Sequence, residues 1–411
     1  MLNSDRKIIE ALRTGVPIRE VVDLLGCGQP NLEKEYVQLL HSKRRGAETE
    51  RNGFVFFGGF GTGKSHVLEA FSKIAIDANF VVSRATISNN LKLGTPADII
   101  KSLVSNTQTK EHIEDGFERL LADALSDRKD LTSLAEWLQD EVNDGRISSI
   151  YLGIANRLPR EHYGTEIFEL TIDFLRGGSV GGKLKQLLFD RTLTLPPAKT
   201  RPAETSAFLT RLFISLGYSG WVVLLDELEL IRLLAGHITR GRSYAELANW
   251  MGYDEQRPTQ GLTVIGCMTA GYVRERIDWS NSGPSEELTI PPRMDVSSAA
   301  MLLADAAKHG MELLQFWDED EDLQLNPPTI VDLNRIQAIL IDTYESAYGM
   351  KVTPVPTKNL NIDPMRVHIR RWIVSWDLER QGRHADLQEN RVTQTFFVED
   401  ENDDDNSDYI Y

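Results

Sequence analysis

Cysteine is scarce in this chain. Its 411 residues include only two, Cys27 and Cys267, far apart and in no metal-ligand spacing. That excludes a disulfide framework and a cysteine-based zinc site, and makes a reducing, cytoplasmic setting the expectation. Long apolar runs are missing as well. None approaches the ~20 residues that a membrane helix needs, and residues 1–7 lack the apolar core of a secretory signal. No membrane partner is expected. An excess of positive charge is also absent: the formal net charge is −16 and the pI is about 5.1. This excludes a general polyanion binder and leaves room only for a confined basic groove. Part of the acidity is local. Glu399, Asp400, Glu401, Asp403, Asp404, Asp405 and Asp408 crowd into ten residues without one basic side chain. The end of the chain, 396–411, reads as a disordered, self-repelling tail that aids solubility, with docking or DNA mimicry as the alternative. The eight histidines form no H-E-x-x-H or zinc-type pair.

What is present is more specific. Gly58-Gly59-Phe60-Gly61-Thr62-Gly63-Lys64-Ser65 fits the phosphate-binding pattern G-x-x-x-x-G-K-[ST]. Glycines let the backbone wrap with its N–H groups inward, and the helix that follows adds its positive N-terminal end. Lys64 is placed to reach the β- and γ-phosphates of a nucleotide, and the Ser65 hydroxyl to ligate Mg²⁺. The context fits: residues 53–57 read as a buried strand, and Val67, Leu68, Phe71, Ile74 and Ala75 fall on one face of a helix. The loop residues Gly58, Gly59, Gly61, Thr62, Gly63, Lys64, Ser65 and the adjoining His66 are the expected nucleotide contacts.

Trp221 to Leu225 form an apolar strand that ends in Asp226-Glu227. Such a strand delivers Asp226 beside the phosphate loop to hold Mg²⁺, and Glu227 to polarise an attacking water. Glu229, two residues on, either touches the site or begins the next element, and the second is the favoured reading. Thr269 lies just past a further apolar strand, 262–268, where a polar group can sense the γ-phosphate. Arg240 and Arg242, read as lying on a loop, are candidates for a transition-state arginine, as are Arg293, Arg366, Arg370 and Arg371.

The order of elements points to an α/β fold, a parallel sheet covered on both faces. Residues 1–48 read as a helical lead-in and 49–290 as the core, with a mainly helical insertion at about 95–200. Residues 291–395 read as a C-terminal helical lid or small domain, with helices near 295–316, 332–348 and 364–380. Other motifs are weak. Gly177-Gly178-Ser179-Val180-Gly181 spells the hydrolase elbow G-x-S-x-G, but lies in a helical region without the strand it requires. Extended to Lys183 it half-spells a second phosphate loop, with Leu184 where the metal-binding hydroxyl belongs. Trp372 and Trp376 read as core. The run Arg366, His368, Arg370, Arg371 beside them is a candidate contact to a nucleic-acid backbone.

Several segments together resemble the BrxD-like ATP-binding proteins of BREX and related anti-phage defence loci. They are Leu24-Leu25-Gly26-Cys27-Gly28-Gln29-Pro30, the loop 58–66 with the strand Phe80-Val81-Val82-Ser83 after it, residues 224–231 around Asp226-Glu227, and Arg240-Gly241-Arg242-Ser243-Tyr244-Ala245-Glu246-Leu247. The resemblance covers about residues 1–315. It implies a P-loop ATPase similar in layout to AAA+ proteins of the origin-recognition type, using ATP and Mg²⁺. It also implies partners among other defence proteins, a helicase and DNA among the candidates, and a homo-oligomer. Gly63, Lys64 and Ser65 would bind phosphate and metal, Asp226 and Glu227 would support metal and water, and Arg242 matches the family segment. A nucleotide-gated switch with little hydrolysis is the alternative.

Overall fold

The computed structural model describes residues 2–44, 51–113, 116–126, 130–161, 163–188, 190, 192–234, 236–253, 260–277, 290, 298–356 and 364–383. The acidic tail and Arg293 lie outside them. The chain divides into two compact units: one of 27–59 and 64–326, the other of 1–26, 60–63 and 327–411.

The larger unit is built on a five-stranded sheet of order β1-β5-β4-β2-β3. The strands are β1 (Gly53–Gly58), β2 (Val81–Thr86), β3 (Thr107–Gln108), β4 (Trp221–Asp226) and β5 (Leu262–Thr269). All pairings are parallel except the short β2–β3 ladder. Every residue of β1 and β4 is buried, which is why these strands read as continuous apolar runs and not as alternating ones. At the outer side of β1, Leu325 N–H donates to the Phe57 carbonyl at 2.7 Å, so residues just past the last helix of this unit extend the β1 edge.

Helices α3 (Pro30–Arg44) and α4 (Lys64–Asp77) meet through Tyr36, whose ring stacks on Phe71 at 4.1 Å between centroids. Between β2 and β4 run α5 (Pro96–Ser105), α6 (Gly116–Ser126), α7 (Thr132–Asn143), α8 (Ile150–Arg157), α9 (Glu166–Leu175), α10 (Gly181–Leu187) and α11 (Arg201–Ser215). The stretch expected to be mainly helical thus carries helices and one two-residue strand. Gly177 sits between α9 and α10 with φ of 91°, a turn between helices with no strand before it, so the elbow-like spelling has none of the geometry it would need. Beyond β4 come α12 (His237–Trp250), α13 (Tyr272–Arg276) and α14 (Ser298–Asp318). Helices α12 and α14 cross closely at Gly310, where an added Cβ would stand 2.1 Å from the Tyr244 carbonyl oxygen.

The smaller unit joins α1 (Leu2–Thr14) and α2 (Arg19–Leu25) to α15 (Ile330–Tyr348) and α16 (Met365–Arg380). Ile8, Ile9, Val21, Leu25, Leu333, Leu340, Tyr344, Trp372, Ile373 and Trp376 share its core. Helix α15 opens on a reciprocal Thr329–Asp332 cap and closes at Gly349 with φ of 69°. These units do not follow the boundaries expected at 48 and 290. The apolar faces of α1 and α2 find their partners on α15 and α16, while α3 and α14 stay with the sheet. Trp372 and Trp376 are core, as expected. The basic run beside them is not an exposed stripe: His368 is buried, Arg366 and Arg370 are half-buried, and Arg370 donates to the Thr14 carbonyl at 3.2 Å.

Candidate functional site

The candidate site forms where β1, β5 and β4 end together. Parallel pairing sets Gly58 opposite Thr269, and Thr86 opposite Asp226. The sheet therefore carries segments far apart in sequence to one edge, the carboxyl ends of its strands, where open α/β sheets bind ligands. The loop after β1 reverses through Gly61 (φ 72°) and Gly63 (φ 109°), conformations that a side-chain-bearing residue adopts only with strain. It feeds directly into α4 at Lys64.

Lys64 is buried. Its Nζ lies 3.3 Å from the Gly58 carbonyl, 3.4 Å from Thr269 Oγ1 and 3.4 Å from Glu229 Oε1. Ser65 Oγ donates to Asp226 Oδ2 at 3.2 Å. Asp226 is only 3% exposed. Its Oδ1 accepts from the Glu227 N–H and the Cys267 thiol, both at 3.0 Å, and its Oδ2 pairs with the Arg84 guanidinium. Arg84 Nη1 also lies 3.7 Å from Glu69 on α4. Burial by itself would raise the pKa of Asp226. The Arg84 charge and the hydrogen bonds from Cys267, Arg84 and Ser65 outweigh it and hold the carboxyl below its ordinary value.

Glu227 is the opposite case. Burial, then the nearby charges of Glu229 and Asp226, push its pKa up, against Lys64 and Arg84. Its backbone is left-handed, φ 61° and ψ 38°, one of two non-glycine residues so placed among the described ones. Such a conformation persists only where its surroundings enforce it, and it is concentrated at functional sites. Here it turns the chain from β4 into the 3-10 turn Leu228–Leu233.

The structure thus brings Lys64, Ser65, Asp226, Glu227 and Thr269 together, with Gly58, Gly59, Gly61, Thr62 and Gly63 on the loop between. His66 is half-buried in the first turn of α4. Arg242 differs from expectation. It is not on a loop but on α12, exposed, with its Cβ facing Gly94. Tyr244, Ala245, Leu247 and Ala248 around it are buried at helical spacing, and that apolar face decides the local structure. Arg240, on the same helix, donates to the Leu234 carbonyl at 3.3 Å. Glu229 also differs. It is a member of the site, 7% exposed, bonded to Thr269 Oγ1 and close to Lys64.

No sequence motif marks Arg84 or Cys267 as part of the site, where both contact Asp226. Arg84 had a usable signal: a cation in the middle of a buried strand must have an anionic partner. Among the described residues no cluster of three or more His, Cys, Asp or Glu offers a metal cage. The oxygen pair of Ser65 and Asp226 suits instead a hard cation that takes few protein ligands and completes its shell with phosphate and water, as Mg²⁺ does.

Among the described residues no helix is long and apolar enough to cross a membrane. No curated protein and no solved structure matches the chain. Asp226 and Thr269 lie outside the stretch that a family model covers, whereas the phosphate loop and Arg84 lie inside it. Over residues 3–143 the chain matches the family described as BREX system ATP-binding protein BrxC/D, so the resemblance carried by its phosphate loop is to that family.

Proposed function

We propose that this chain is an ATP-binding and ATP-hydrolysing protein of AAA+-like layout. It acts in an anti-phage defence system, where it assembles partner proteins, a helicase among them, on DNA, and it works as a homo-oligomer. The observation that carries the nucleotide reading is the 3.2 Å hydrogen bond from Ser65 to Asp226, which spans 161 residues and joins the phosphate loop to the acidic strand end. The defence context rests on the family match over residues 3–143.

In this reading the loop N–H groups and the Lys64 ammonium hold the phosphates. Thr269, opposite Gly58, contacts the terminal one. Glu227 accepts the proton of a water that attacks the γ-phosphorus in line, the bond to the β,γ-bridging oxygen breaks, and ADP leaves with that electron pair. A carboxyl whose pKa is raised is the stronger base for that proton. Ser65 and Asp226 would hold Mg²⁺, which when bound neutralises charge on the β- and γ-phosphate oxygens. Arg84 is engaged by Asp226 and Glu69, so the arginine that stabilises the transition state is a different one, either in cis, with Arg242 as the candidate, or from a neighbouring subunit.

The test is ATP binding and phosphate release by the full chain, alone and with DNA. Lys64→Ala should abolish binding. Glu227→Gln should bind ATP yet release phosphate at least about 100-fold more slowly. Binding without phosphate release in the unaltered chain would turn the reading to a nucleotide-gated switch. No binding at all would end it.

A further inference from the structure

Glu229 is a buried carboxylate at the place where the cradle needs to be electropositive. One oxygen is engaged: Oε1 bonds the Thr269 hydroxyl and lies 3.4 Å from Lys64 Nζ. The other, Oε2, is buried and has no hydrogen-bond partner among the described residues. A half-satisfied buried carboxylate is costly, and such a group in a folded protein calls for a reason. A reason lies in Lys64. A buried ammonium without a counter-charge is more costly still, and Glu229 supplies that charge. Glu229 also claims the two side chains, Lys64 and Thr269, that a terminal phosphate would claim. A phosphate and a carboxylate cannot share one ammonium at this range without strong repulsion.

We propose that Glu229 is a built-in stand-in for the terminal phosphate. It keeps Lys64 and Thr269 charge-balanced in the nucleotide-free cradle and is displaced when a nucleoside triphosphate enters. It is a positioning residue that acts through Lys64 and Thr269, and it sets the threshold for binding. It also biases the site between tri- and diphosphate, because its carboxylate opposes the terminal group more than the inner ones. The turn that carries it, Leu228–Leu233, follows directly on the strained Glu227, so the two residues share one short segment between β4 and α12. This inference rests on the nucleotide-binding reading.

The experiment is calorimetric titration of the full-length chain with MgATP and, separately, MgADP, paired with the melting midpoint of the nucleotide-free protein. Glu229→Gln keeps the shape and removes the charge. It should tighten ATP by about fivefold or more while ADP changes less than about twofold, and the nucleotide-free midpoint should fall because Lys64 loses its counter-ion. A purely structural Glu229 would lower the midpoint and leave the ATP-to-ADP ratio where it was, which overturns the proposal. So would equal shifts for both nucleotides, or weaker ATP binding. If Glu229→Gln does not fold, Glu229→Asp decides. Its carboxylate is drawn back from Lys64, and it should tighten ATP by about twofold with ADP unchanged; no change in the ratio overturns the proposal. An unaltered chain that binds neither nucleotide removes the underlying reading, and this inference with it. An unaltered chain that binds ATP while both variants keep its ratio removes only the role of Glu229.

Discussion

Glu227 combines two unfavourable features, a left-handed backbone and a carboxyl pressed by burial and by like charges. Each costs stability, so its removal should be gainful. Glu227→Gly is expected to stabilise the nucleotide-free protein by about 1 kcal/mol, measured by urea unfolding, even as it removes the proposed base. The pH dependence has a definite sign. The folded-state pKa of Glu227 is raised, so the folded protein binds more protons there than the unfolded chain does. Its contribution is therefore most favourable below the unfolded value near 4.5 and is lost as pH rises through the higher, folded value. Asp226 is the reverse: its contribution is present above the unfolded value and disappears as pH falls through the lowered one. Glu227→Gln should remove the first trend and leave the second in melts recorded from about pH 2 to 8, since the Asp226 window lies below its unfolded value and the Glu227 window above its own.

Lys43 offers a second residue-scale test. It is buried, donates to Asn52 Oδ1 at 3.3 Å, and burial draws its pKa down from 10.5 to about 8. Between those values the unfolded chain binds the proton that the folded one has released, so stability rises with pH across the window, by about 3 kcal/mol at most. Lys43→Met should flatten that rise in denaturant titrations at pH 8 to 10.5. The opposite slope in the unaltered chain would contradict the assignment.

Among the elements, the decisive feature is how closely backbones approach. Gly310 on α14 meets the Tyr244 carbonyl on α12, and Gly53 on β1 leaves no room for a Cβ beside the Val264 carbonyl. These are contacts with backbone, which does not yield as a flexible side chain would. Gly310→Ala should destabilise by about 1–3 kcal/mol or more through forced separation of α12 and α14, read by circular dichroism in urea. Strand and helix positions were largely legible in the sequence. The buried parallel strands are uninterrupted apolar runs, and α15 and α16 repeat their apolar residues at helical spacing. Arg242 was not legible as helical, because Gly236 to Arg242 is polar and glycine-bearing. Only the buried face that follows, Tyr244 to Ala248, commits the segment to α12.

At the scale of the molecule, the smaller unit is assembled from the two ends of the chain. Its core needs Ile8, Ile9, Val21 and Leu25 from α1 and α2 to cover Leu333, Leu340 and Tyr344 of α15 and Trp372 and Trp376 of α16. Deletion of residues 1–26 should therefore strip α15 and α16 of their protection in hydrogen–deuterium exchange, while amides of β1, β4 and β5 keep theirs. Retained protection in α15 would show that this pair holds without α1 and α2. No local pattern announces such a pairing. An amphipathic helix declares that it has an apolar face, not which distant face will cover it.

The same division runs through the candidate site. Sequence alone determined the glycine-rich loop that leads into α4, the strand ending in Asp226 and Glu227, and Thr269 at the end of its strand, because each is a local pattern of backbone freedom or apolar periodicity. Tertiary structure decided that Glu229 faces Lys64, that Arg84 neutralises Asp226, and that Arg242 stands out on a helix. The physical reason is that charge interactions depend on distance and burial, and these follow from the strand order β1-β5-β4-β2, which no single segment encodes.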